Sequence, residues 1–152
     1  LAEAQYETVK VKSVMLTKPA KINLGASLTE ALDKMKSSHV DTLLVVDDSN
    51  HLKGYISIEK LEQRYHQVSG VSDIVNKNIY TIGPDDYLRD NFNRILERNG
   101  QYVPVVDKND KLVGIVTRSS LVNVVYETIW GDNNPLLSKS KQTKDSAKGA
   151  NK

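Results

Sequence analysis

The sequence predicts an α+β (mixed α/β) fold of two tandem repeats, each running strand-helix-strand-strand-helix and packed with pseudo-two-fold symmetry. Three observations predict it. LLVVDDSNHLKGYIS at 43–57 aligns without a gap on VPVVDKNDKLVGIVT at 103–117, so one supersecondary unit occurs twice. Val45, Val46, Asp47, Leu52 and Gly54 return as Val105, Val106, Asp107, Leu112 and Gly114, each 60 residues later. The same offset pairs Val11 with Val71, Ile22 with Ile82, Leu28 with Leu88 and Leu61 with Leu121. Each repeat is too small to bury its apolar face alone, so the two must pack on each other.

Residues 1–9 read as a linker, 10–69 as the first repeat, 70–130 as the second and 131–152 as a disordered basic tail. Ile22 to Leu24 is a short extended piece after Pro19. Ser27 with Glu30 three residues on predicts a helix start held by a reciprocal capping box. Leu28, Ala31, Leu32 and Met35 follow at helical spacing, and Leu88, Phe92, Ile95 and Leu96 repeat that face. In the second copy Asp85 or Asp86 is expected to cap the helix and Gly100 to stop it. The apolar runs 42–46 and 102–106 predict strands buried on both faces. Asp47 to Lys53 and Asp107 to Val113 predict hairpin loops, with Gly54 and Gly114 opening the return strands. Closing amphipathic helices are expected over about Ile58 to His66 and about Arg118 to Ile129.

Composition narrows the function. The 152 residues include no cysteine, which excludes disulfides and thiolate chemistry and suits a cytoplasmic protein. No apolar run approaches the ~20 residues of a membrane helix, and the chain starts at Leu1 rather than Met, as expected of a fragment. Five Lys and two Asp fall after residue 130, so the formal +2 of the whole chain leaves the rest at −1. That near-neutral folded part argues against nucleic acid as a partner. His39, His51 and His66 match no metal spacing, and Asp47-Asp48 and Asp85-Asp86 sit where turns and helix caps select carboxylates. No G-x-x-x-x-G-K-[ST] phosphate loop is present, so the piece is expected to be no enzyme.

The opening V-x-x-V-M at Val11 to Met15, the V-V-D-x-x-x-x-L-x-G spacing and the strand ends G-Y-I-S and G-I-V-T resemble the CBS domain, and the tandem resembles a Bateman module over about residues 9–129. More narrowly, the chain resembles the C-terminal regulatory region of the ATP-binding subunits of osmolyte (carnitine and glycine betaine) ABC importers. The resemblance implies a regulatory module that binds cyclic di-AMP, pairs into a homodimer, and controls the ATPase domain of its own chain and the membrane permease subunits. It also implies a place in the cytoplasm at the inner face of the cell membrane. Carried over, the nucleotide site is Ala20, Ile22, Val40, Thr42, Tyr102, Ile115, Thr117 and Arg118. Adenine suits apolar walls with a few hydrogen-bonding groups. A helix start at Thr117 favours phosphate, and the Arg118 guanidinium can grip it.

Many AMP- or ATP-binding relatives read G-h-h-T-x-x-D (h apolar), the Asp clamping the ribose hydroxyls. Here Lys60 and Ser120 hold those positions. The 3′ oxygens of cyclic di-AMP are tied up in phosphodiesters, so the missing carboxylates favour it over AMP or ATP. Its two-fold axis also matches that of a dimer. The competing expectations are an AMP or ATP sensor, an ionic-strength sensor resting on the Lys-rich tail, and a purely dimerising module. The competing expectation for Thr117 and Arg118 is a plain N-cap followed by a solvated first-turn residue.

Overall fold

The computed structural model describes residues 8–98 and 102–130. Most of the expected linker, the helix stop at Gly100 and the tail at 131–152 lie outside them. The chain runs through β1 (Lys21–Asn23), α1 (Leu28–Ser38), β2 (Thr42–Val46), β3 (Leu52–Ser57) and α2 (Ile58–Arg64). It then continues through α3 (Leu88–Leu96), β4 (Val103–Val106), β5 (Leu112–Val116) and α4 (Arg118–Trp130). Single 3-10 turns at Val11–Ser13 and Val71–Asp73 open the two copies.

The repeat offset is written into the strand register. In the first sheet β2 pairs antiparallel with β3, Leu43 opposite Ile56 and Val45 opposite Gly54, and the register slips between Val45 and Val46. In the second, β4 sets Val103 opposite Val116 and Val105 opposite Gly114, with the same slip between Val105 and Val106. Below the slip the two loops are built alike. The Asp47 carboxylate accepts from the backbone N–H groups of Ser49 and His51, both at 2.9 Å. Asp107 accepts from those of Asn109 and Lys111 at 2.8 and 3.0 Å. Asn50 and Asp110 take the left-handed conformation at φ 67° and 62°, which Asn and Asp tolerate better than most residues.

The expected opening strand survives as β1 in the first copy, parallel to β2 with Ile22 beside Val45. In the second copy it shrinks to one bridge, Ile82 beside Val105. Pro84 follows and has no N–H for a ladder. The Asp86 carboxylate takes the Gly83 N–H at 2.7 Å and turns the chain away. That bond also corrects the expected cap. α3 begins at Leu88 after Tyr87, with no side-chain cap. Asp86 is committed to Gly83, and Asp85 pairs with Lys12 at 3.1 Å. Ser27, by contrast, forms the full capping box with Glu30. α2 stops at Arg64, short of His66.

Each copy lends its leading segment to the other. Val11 is fully buried in the core of the second copy, against Ile82, Leu88, Val103 and Leu121. Val71 and Ile74 join the first core with Leu28, Met35, Leu43 and Ile56. The exchanged backbones explain the glycines. Leu16 bridges Ile115 beside Gly114, and Asn76 bridges Tyr55 beside Gly54. A Cβ on Gly54 would stand 2.2 Å from the Asn76 carbonyl oxygen, and one on Gly114 would stand 2.7 Å from that of Leu16. Gly54 also sits at φ 149°, where a side chain is strained.

The pseudo-two-fold axis passes through the bridge between His51 and Lys111, residues related by the repeat offset. Around it Leu52 N–H donates to the Asp110 carbonyl at 2.9 Å and Leu112 N–H to that of Asn50 at 3.0 Å. A third cluster of Leu44, Val46, Leu112 and Ile115 joins the two sheets. Fully burying an aliphatic side chain of this kind stabilises by roughly 1.5–3 kcal/mol.

Candidate functional site

A cavity of about 640 Å³ opens between the repeats. The C-terminal end of α1 supplies Lys36 and His39, the start of β2 supplies Val40 to Thr42, and β3 supplies Tyr55. From the second copy come Asn78 to Tyr80, Arg98 after α3, and Tyr102 entering β4. These positions converge where α1 ends and β2 begins and where Tyr102 enters β4 beside Thr42. His39 ends α1 in the left-handed conformation at φ 56°, its N–H on the carbonyls of Lys36 and Met35.

Three tyrosines line the cavity with their hydroxyls already engaged. Tyr102 donates to the Thr42 carbonyl at 3.1 Å. Tyr55 accepts from the Asn76 side chain at 3.1 Å, and Tyr80 donates to Asn91. Tyr102 and Thr42 are themselves related by the repeat offset, so this bond crosses the pseudo-axis and closes the groove floor. Burial pushes the Tyr102 phenol up to about 12, with the Asp41 carboxylate adding to the shift. The Thr42 hydroxyl donates to Asp41 at 3.2 Å.

Of the residues expected at the site, Val40, Thr42 and Tyr102 line this cavity. The others do not line it; the repeat offset puts Ala20 and Ile115 across the pseudo-axis, on the other flank. Ala20 occupies, by the offset, the place of Tyr80, and its carbonyl accepts from Leu44 N–H at 3.3 Å. Ile115 occupies the place of Tyr55 and is buried beside Leu44 and Tyr102. Ile22 sits deeper on β1, packed against the first core. Thr117 caps α4 reciprocally with Ser120: each backbone N–H meets the other's hydroxyl at 3.3 Å. Arg118 donates to the Leu96 carbonyl at 3.0 Å. Leu96 is the repeat counterpart of Lys36, so Arg118 stands on this flank near where Lys36 stands on the other.

Lys36, His39, Tyr55, Tyr80 and Arg98 were not singled out from the sequence as site residues. The signal was available: comparing the copies position by position puts Tyr80 against Ala20 and Arg98 against Ser38. Among the described residues no cluster of His, Asp and Glu could hold a metal ion. No helix there is long and apolar enough to cross a membrane.

The profile of the CBS domain family matches residues 11–65 and again 71–127. The carnitine transport ATP-binding protein OpuCA of Listeria monocytogenes is 47% identical over 131 residues, which cover 86% of this chain and 33% of that protein. The chain therefore spans about a third of the length of such curated relatives. A solved structure of Staphylococcus aureus OpuCA is 42% identical, with a TM-score of 0.69 over 77% of this chain and 99% of that one. CbpB, solved in complex with cyclic di-AMP, shares the fold at 15% identity, with a TM-score of 0.76 over 84% of this chain and 91% of its own.

Proposed function

The chain belongs to the CBS domain family, as a tandem pair close to OpuCA, and from that premise we propose that it senses cyclic di-AMP and controls an osmolyte ABC importer. The attached ATPase domain and the permease are the partners that read its occupancy, at the inner face of the membrane. One observation carries the reading. The repeats meet in a groove whose floor is the Tyr102–Thr42 bond. On one flank of that floor Ala20 and Ile115 offer apolar walls, while the α4 start presents Thr117 and Arg118. An adenine fits between such walls. A phosphate fits a helix start beside a guanidinium. Lys60 and Ser120 offer no ribose-clamping carboxylate, which favours the cyclic dinucleotide over AMP or ATP at this place. The known complex of CbpB with cyclic di-AMP supports the fold's capacity for that ligand.

Competition binding with labelled cyclic di-AMP tests the proposal. The expected result is retention that excess ATP does not displace, weakened about 10- to 100-fold by Arg118→Ala, which removes a charge-assisted hydrogen bond. Displacement by ATP at equal strength, or parent-like binding by Arg118→Ala, contradicts it.

A further inference from the structure

We propose that segment 9–16 is the output strap of the module, the element through which an occupied Arg118 flank acts on the chain ahead of it. The inference rests on the sensing function proposed above. The segment precedes the first repeat in sequence but is fastened to the second. Val11 is fully buried in the second core, with Val9, Val14 and Met15 packed beside it. Val11 N–H donates to the Asp86 carbonyl and Lys12 N–H to that of Pro84, both at 2.9 Å.

Two routes lead from the proposed phosphate grip to this strap. The first runs along β5, which Thr117 and Arg118 follow directly. There Leu16 N–H donates to the Ile115 carbonyl at 2.8 Å, and Ile115 N–H donates to that of Leu16 at 2.9 Å. The second runs along α3. The Arg118 guanidinium holds the Leu96 carbonyl at the end of that helix, at 3.0 Å. At its start, Leu88 N–H donates to the Val9 carbonyl at 2.9 Å. That bond serves a helix start with no side-chain cap, where the first N–H groups have no partner within the helix. A ligand seated on Arg118 and Ile115 therefore bears on both β5 and α3, and its binding favours the fastened strap.

Internal symmetry supplies the control. The repeat offset maps Leu16 onto Asn76 and Ile115 onto Tyr55, and the same pair of backbone bonds recurs there at 3.0 and 2.8 Å. The rest of the circuit does not recur. Arg118 maps onto Ile58, which cannot grip a phosphate or a carbonyl, and α1 starts with its own capping box. Segment 69–76 also runs between the two repeats, whereas 9–16 leads out of them. Leu16 is 53% exposed and Asn76 is exposed too, so exchange at both amides reports local opening rather than global unfolding.

Amide hydrogen exchange of the 152-residue chain, followed by NMR with and without saturating cyclic di-AMP, tests the strap. The expected result is exchange at Leu16 slowed at least about tenfold on saturation, with Asn76 changed less than about twofold. Coupling is reciprocal, so Leu16→Pro, which removes the N–H given to Ile115, should weaken cyclic di-AMP at least about fivefold. Asn76→Pro breaks the matching bond on the other flank and should leave that affinity within about twofold of the parent. If either proline variant fails to melt cooperatively, the exchange comparison on the parent decides alone. Leu16 and Asn76 slowing alike, Leu16 not slowing at saturation, or parent-like binding by a folded Leu16→Pro overturns the strap and leaves the sensor standing. No cyclic di-AMP binding at millimolar concentration overturns the sensor and the strap together.

Discussion

The two repeats agree where chain crosses chain and differ where helices begin and end. Both hairpins carry the same register slip, the same aspartate-nucleated loop and the same glycine under an exchanged backbone. Yet α1 has a full capping box and α3 has no side-chain cap, β1 is a strand in one copy and a single bridge in the other, and α2 has 7 residues against 13 in α4. The difference teaches a division of labour. Contacts on the axis must serve both copies and hold the module together. Positions at helix ends serve one flank each and are free to acquire different chemistry.

Breaking the shared part should cost most. Gly54→Ala places a Cβ against the Asn76 backbone at a strained φ, with an expected loss on the order of 3–5 kcal/mol or no folded protein. Gly114→Ala meets Leu16 less closely and should cost less; urea melts of both rank them. Equal and small losses would mean the exchanged segments yield easily, and the symmetry would then be weaker than the register implies.

Tyr102, on the pseudo-axis, gives the next effect. Its phenol titrates near 12 in the fold against 10 ordinarily, so the folded state favours the neutral form. That stability is fully present below about pH 10 and is lost as pH rises towards 12. The parent should lose roughly 2–3 kcal/mol over that window relative to Tyr102→Phe, measured by denaturant melts at each pH. Parallel curves for the two proteins would show the phenol to be ordinary.

Removing or installing a cap gives the smallest effect. Ser27→Ala should destabilise by about 1 kcal/mol. Tyr87→Ser, with Asp90 already three residues on, should give α3 the cap it lacks and add up to about 1 kcal/mol. If neither changes the melt, capping does not distinguish the copies.

Most of the shared part was legible in the sequence, because a fixed offset of Val-Val-Asp, Leu and Gly encodes strand, loop and crossing together. The capping box at Ser27 and Glu30 was legible for the same local reason. The exchange of leading segments was not, since Val11 and Val71 look alike whichever core they enter. The role of Asp86 was hidden too, because a carboxylate before a helix serves equally as cap or as turn partner to Gly83. At the groove, the resemblance pointed to Val40, Thr42 and Tyr102, and these line the cavity. Tyr80 and Arg98 were not legible, because their value comes from meeting α1 across the axis.

The central claim, a two-fold sensor of a two-fold ligand, is tested most directly by native mass spectrometry of the 152-residue chain with cyclic di-AMP. The account predicts a species of two chains with one ligand, formed by the parent and depleted by Arg118→Ala. A saturated single chain carrying one whole cyclic di-AMP, or a mass unmoved by it, would contradict that claim.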